Sequence, residues 1–192
     1  FYHEWSGLYF INDKSIIDRS KGQYATFMRE DMINKEKLII RQTADRFICS
    51  YDNERYYILN TLYSLVIRED YKNILDIKYI LALLNSKLYH FLYSTLIREQ
   101  GKLFPQLKVF HIQYSPIAIP DKNTQQKITS IVDEIILLNK KKKNTFDETN
   151  RKSFSRHDEK RDFLNHLLDN LIFEIFDLSS QEIETINKEI TN

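Results

Sequence analysis

The amino-acid sequence predicts an α+β fold: a β-rich portion with a long central helix, followed by an amphipathic C-terminal helical pair. Two patterns predict it. Runs rich in β-branched and aromatic residues crowd into residues 37–68, and apolar residues then recur at three- and four-residue intervals from residue 76 and again from residue 123. With three Gly and three Pro in 192 residues, long elements joined by few tight turns are expected, not a many-turned sandwich or a Gly-rich nucleotide fold.

Taken in order, WSGLYFI (residues 5–11) reads as a strand and YATFMREDMINKEK (24–37) as a short helix. Four strands follow in KLIIRQT (37–43), RFICSY (46–51), RYYILN (55–60) and TLYSLVI (61–67), most simply as two hairpins. Residues 76–99 predict one helix, capped by Asp76, carrying Ile80, Leu83, Leu84, Leu88, Phe91 and Leu92, and ended by Gly101. LFPQLKVFHIQY and SPIAIP (103–120) read as extended, since Pro116 and Pro120 forbid helix. A second helix starts near Asn123, with Gln126 in a capping-box position and Ile128, Ile131, Val132, Ile135 and Ile136 on one stripe, and runs into lysines 140–143. The polar stretch to about Asp158 reads as a linker or a frayed helical turn. A third helix carries Leu164, Leu167, Leu168, Leu171, Ile172 and Ile175, and Ser179 with Glu182 opens a short fourth. The two consecutive apolar stripes predict an antiparallel pair.

The length suits one domain, or one domain with a helical appendage, and the division expected is 1–121 and 122–192. Apolar residues at 42% and charged residues at 29% are the balance of a folded globular chain. Twenty-eight Lys and Arg against 27 Asp and Glu give +1, so any grip on a polyanion has to be local. The single Cys49, between apolar neighbours, reads as a buried thiol in a reducing cytoplasm. There is no signal peptide or membrane span in the pattern, and a chain starting at Phe1 reads as a piece of a larger protein.

No phosphate loop, nucleophile elbow or zinc-helix motif occurs, and His3, His90, His111, His157 and His166 lack metal-ligand spacing. Pro120-Asp121 with Asp158-Glu159-Lys160 spells a loose Mg²⁺ nuclease signature, but both acids fall at predicted helix starts, where acidic residues are common. Base-reading chemistry sits near predicted loop and strand ends: Arg41, Gln42 and Arg46, then Arg98, Gln100, Lys102, Gln106 and Lys108. Arg and Lys pair with guanine edges or phosphates, and Gln makes two bonds to adenine.

The motifs Leu84-Asn85-Ser86-Lys87, Gly101, Phe104-Pro105, Ile119-Pro120 and Gln125-Gln126 fall in one order along the chain. In this order they resemble the TaqI-like C-terminal specificity domain of adenine-N6 DNA methyltransferases and fused restriction-methyltransferase (type IIG) enzymes. The resemblance extends over residues 37–186. It implies that residues 1–121 are a target-recognition domain for duplex DNA, non-catalytic itself. It also implies a methyltransferase partner domain, in the same parent chain or as a subunit. S-adenosylmethionine and Mg²⁺ are then expected only in parent domains absent from this sequence, which lacks the family's Asn-Pro-Pro-aromatic motif. The separate specificity subunits of multi-subunit restriction enzymes are similar over the same helices. That leaves a protein-interaction module as the alternative, with a Mg²⁺-dependent nuclease as the third reading.

Overall fold

A computed structural model describes residues 13–24, 29–97, 105–144 and 151–191, with backbone alone at 96–97, 141–144, 151–156 and 191. It is α+β, as the pattern predicts. The segment expected as a strand at residues 5–11 lies outside the described residues. Of the helix expected over 24–37, one turn is described, α1 (Glu30–Ile33).

Three strands form: β1 (Lys37–Arg41), β2 (Cys49–Asp52) and β3 (Leu62–Leu65). They make one antiparallel sheet in the order β2-β1-β3, with Ile40 opposite Cys49 on one side and Tyr63 on the other. The expected pair of hairpins is therefore corrected. RYYILN is not a strand, because the chain has to cross from one edge of β1 to the other. Asp52 starts that crossing, its carboxylate accepting the backbone N–H groups of Glu54 (2.8 Å) and Tyr56 (3.1 Å). Arg55 there takes the left-handed conformation (φ 63°).

Asp52 also meets Lys37 at 2.5 Å with both side chains fully buried, and the same ammonium donates to the Ile33 carbonyl at 3.1 Å. This ion pair joins α1, β1 and β2 at one end of the sheet. Buried charge of this kind persists only when paired and hydrogen-bonded.

The helix expected over residues 76–99 is broken. Asp76 caps α2 (Ile77–Leu84) by accepting from the Lys78 N–H, but the chain leaves helix at Asn85 and restarts as α3 (Lys87–Leu92) with Ser86 as its cap. Asn85 accounts for the break. Its side chain accepts from the Cys49 N–H (2.9 Å) and donates to the Cys49 carbonyl (3.0 Å), extending β2 as a further strand would. The Lys87 N–H then donates to Asp169 at 2.9 Å and the Lys87 ammonium to Asn187 at 2.9 Å. After α3 the chain loosens into a π turn (Tyr93–Ile97).

The extended reading of residues 109–113 is corrected: they form α4 (Val109–Gln113), while Gln106 and Lys108 before it are extended and the SPIAIP part after it is not helical, as its prolines require. The long α5 (Lys122–Asn144) is capped by Asp121, not Asn123, through the N–H groups of Asn123 (2.8 Å) and Thr124 (3.1 Å). α6 (Arg151–Ile175) starts well before Asp158, so of the polar stretch read as a linker or a frayed helical turn, residues 151–158 are helical. The Ser179–Glu182 capping box opens α7 (Ser180–Thr191), with Ser179 N–H to Glu182 at 2.8 Å. α5 and α6 pack together across a six-residue connection, which requires them to run antiparallel.

One apolar cluster spans the described residues, from Leu38 and Ile40 of β1 through α2 to Ile128, Val132 and Ile135 of α5, Leu168 and Ile172 of α6 and Ile186 of α7. α2 buries every residue but Lys78, which explains why the rest of its sequence is apolar. Gln125 ties the layers: its amide accepts from the Asp76 N–H (2.8 Å) and donates to the carbonyls of Ile74 (2.8 Å) and Pro120 (3.1 Å).

Replacing Asn85 by Ala strands a buried N–H and carbonyl of Cys49. Urea unfolding should show a loss of about 2–4 kcal/mol, whereas an exposed Asn such as Asn123 should tolerate Ala with a far smaller loss. Burial raises the Asp169 carboxyl above its ordinary value of 3.8, against the opposing hydrogen bond and charge of Lys87 and the charge of His166. The folded chain thus holds this proton more tightly than the unfolded chain. The stability linked to it is complete below pH ~4 and is lost as pH rises through the raised value. Asp169→Asn retains an acceptor for Lys87 and should flatten that slope; an unchanged slope in pH-dependent melting would refute the assignment.

Candidate nucleic-acid interface

The end of the sheet where β1 finishes is shaped by main-chain bonds. Gln42 donates its N–H to the Thr61 carbonyl (3.0 Å) and accepts at its own carbonyl from the Leu107 N–H (2.8 Å), so the chain past β1 is held on both sides. Thr43 and Gln106 form an isolated antiparallel bridge. The Tyr63 hydroxyl donates to the Leu107 carbonyl at 3.1 Å, fixing the same segment from β3.

The loop between β1 and β2 is anchored as firmly. Phe47 is buried, with its ring 5.9 Å from that of Tyr89 and 5.5 Å from that of Tyr93, an edge-on contact. The Tyr93 hydroxyl donates to the Ala44 carbonyl at 3.0 Å. Arg41, at the end of β1, and Arg46, on the short loop that follows, therefore stand exposed where backbone and apolar residue are held by the core.

Of the eight residues selected from sequence, five come to this end of the sheet. Arg41, Arg46, Gln106 and Lys108 are exposed there and Gln42 is half-buried. Arg98, Gln100 and Lys102 lie outside the described residues. Charge-based reading missed the neighbours on α4. His111 accepts the Lys108 N–H on Nδ1 at 3.1 Å, Phe110 is 48% exposed and Tyr114 is 85% exposed. The aromatic run FHIQY was the available signal, since aromatic faces left in water favour a partner.

A concave surface lies toward the other end of the sheet. It is a cavity of about 730 Å³ bordered by Lys35, Lys72, Lys78 and Lys122 with Gln125 and Gln126. Three of these lysines have acidic partners: Lys72 meets Glu69 at 2.9 Å, Lys35 meets Glu69 at 3.7 Å, and Lys78 meets Asp133 at 2.7 Å.

The residues of the nuclease-like pattern do other work. Asp121 is spent on the α5 cap, and its carboxyl sits below the ordinary value because the Thr124 hydroxyl and N–H favour the charged form. Asp158 pairs with Arg161 at 2.8 Å, and Lys160 pairs with Glu134. That last contact sets Asp158 level with residue 136 of α5, roughly 20 Å along the helix from Asp121 at 1.5 Å per residue. Among the described residues no group of three or more His, Cys, Asp or Glu is placed to hold a metal ion. The Cys49 thiol is 1% exposed and burial pushes it up to about 12, so it is not ionised at neutral pH. No described helix is long and apolar enough to cross a membrane.

Comparison with known proteins agrees with this geometry. The chain matches the model of the TaqI-like C-terminal specificity domain over residues 2–117, more than half its length. No curated protein matches the chain. The match takes in β1, β2, β3, the anchored loop, α2, α3 and α4, and stops before α5. The Asn85 junction and the held loop lie inside the matched residues, and the chain belongs to the family of TaqI-like C-terminal specificity domains.

Proposed function

We propose that this chain reads a base sequence in duplex DNA for a restriction-modification enzyme and performs no bond chemistry itself. In this reading residues 1–121 are the target-recognition domain and residues 122–192 the C-terminal helical region. The parent is a bacterial, cytoplasmic adenine-N6 methyltransferase or a type IIG fusion. Other domains of that parent hold S-adenosylmethionine and Mg²⁺, and the reader closes over the duplex while the target adenine is flipped.

The observation that carries the reading is the family match across a loop whose backbone is fixed while its polar side chains remain exposed. Fixing the backbone beforehand lowers the ordering cost of binding. Arg41 and Arg46 offer planar forks for guanine or phosphate oxygens, Gln106 offers the donor and acceptor that adenine requires, and Lys108 offers a point charge. Arg98, Gln100 and Lys102 complete the proposed set.

Selection from a pool of random duplexes should enrich one short sequence. Charge reversal at Arg41, and separately at Lys108, should weaken binding to that sequence about 10-fold or more without changing the circular dichroism spectrum. Recovery of no preferred sequence, or full affinity in both variants, would remove the reading.

A second reading is a specificity-subunit-like module whose helices dock methyltransferase or nuclease subunits. It is favoured by α5–α7 lying past the matched residues, with Leu137 and Phe163 exposed on α5 and α6. Leu137→Ser with Phe163→Ser should then abolish co-purification with a methyltransferase subunit while leaving DNA selection intact; retained co-purification argues against it.

A further inference from the structure

Between α4 and α5, every second carbonyl of residues 116–120 is taken by a buried side chain. The Tyr89 hydroxyl donates to the Pro116 carbonyl, the Tyr79 hydroxyl to the Ala118 carbonyl at 2.7 Å, and the Gln125 amide to the Pro120 carbonyl at 3.1 Å. A two-residue repeat is that of extended chain, and Ile119, which precedes a proline, is restricted to extended conformations. This arm is held along one edge.

Its other edge is open. In extended chain the N–H and carbonyl of a residue point the same way, so those of Ile117 and Ile119 point away from the three held carbonyls. Among the described residues neither Ile117 nor Ile119 makes a main-chain hydrogen bond, and they are 46% and 55% exposed. The open row is short. Before it, the Ser115 N–H turns back to the Ile112 carbonyl at 3.3 Å; after it, the Asp121 carbonyl accepts the Gln125 N–H at 3.0 Å.

Two donors and two acceptors in such a row are their own complement. About a two-fold axis through Ala118, Ile117 of one protomer opposes the partner's Ile119, and each such pair exchanges two hydrogen bonds. The isoleucine side chains of both copies then fall on one face. A longer strand gains nothing past these two residues, whereas a second copy matches the row from end to end. The same axis brings the ends of the arms together. Tyr114, 85% exposed, and Lys122, which has no carboxylate partner among the described residues, stand four residues to either side of Ala118, so the cation of each copy comes to the aromatic face of the other.

We propose that the arm at residues 116–120 is a two-fold contact through which two copies of this chain pair edge to edge. A contact of this size falls below the roughly 1,200 Å² of a standard interface, so the dimer forms at high concentration and dissociates on dilution. It is independent of the DNA-reading function.

Sedimentation of the whole chain up to about 1 mM should show a monomer–dimer equilibrium. Ile117→Lys with Ile119→Lys sets like charges opposite each other across the axis and should weaken dimerisation about 10-fold or more. Both side chains are exposed, so the melting temperature should match the wild type. Ala118→Cys reads the register. Residue 118 meets its own copy at about 4.5 Å between Cα atoms, within the reach of a disulfide, so this variant should cross-link under mild oxidation. Ile117→Cys and Ile119→Cys should each fail to cross-link alone and should cross-link when mixed. Cys49 is buried and stays out of the reaction. A chain that remains monomeric at the highest concentration overturns the proposal, as does equal cross-linking of the three single-cysteine variants. A dimer that the lysine pair leaves intact also overturns it and moves the contact to the exposed Leu137 and Phe163.

Discussion

Two backbone groups of Cys49 face away from β1 at the edge of the sheet, and the fold depends on their being paired. A buried edge strand that leaves its N–H and carbonyl without partners costs more than most single interactions can return. Asn85 solves this with a side chain that copies a strand. Because its amide is committed to β2, the helix cannot pass straight through, and Ser86 has to begin a new one. Lys87 then reaches α6 and α7. Three consecutive residues thereby tie the sheet, the buried α2 and the C-terminal helices into one body.

The rigidity of that body matters because of where it ends. At the same end of β2, Phe47 and the Tyr93 hydroxyl hold the loop that follows Arg41 of β1 and from which Arg46 projects. The main chain of Gln42 is clasped between Thr61 and Leu107. Side chains on such a loop can be exchanged without disturbing what holds it. Residues that meet a partner and residues that support them then carry different constraints.

Charge follows the same division. The lysines lining the cavity near α2 are largely matched by Glu69 and Asp133, as Lys140 and Lys160 are by Glu54 and Glu134. A near-zero total thus says little about what a surface attracts. Screening confines the field of exposed charge to about 10 Å, so local excess decides what is attracted.

The α+β class, β1, the caps at Asp76 and Ser179, the apolar stripes of α5 and α6 and the burial of Cys49 were legible in the sequence, because periodicity, capping chemistry and local polarity are properties of neighbouring residues. Tertiary structure alone decided the rest. RYYILN has strand composition but is used as a crossing; residues 76–99 have helical periodicity but are interrupted for the sake of Cys49, 36 residues away. Residues 109–113 turn helical after Gln106 and Leu107 have paired with the chain beyond β1. Each reversal has one physical cause. Local preferences are worth tenths of a kilocalorie per residue, while an unpaired buried backbone group costs about 1–3 kcal/mol, and which groups are buried together is settled only when distant segments meet.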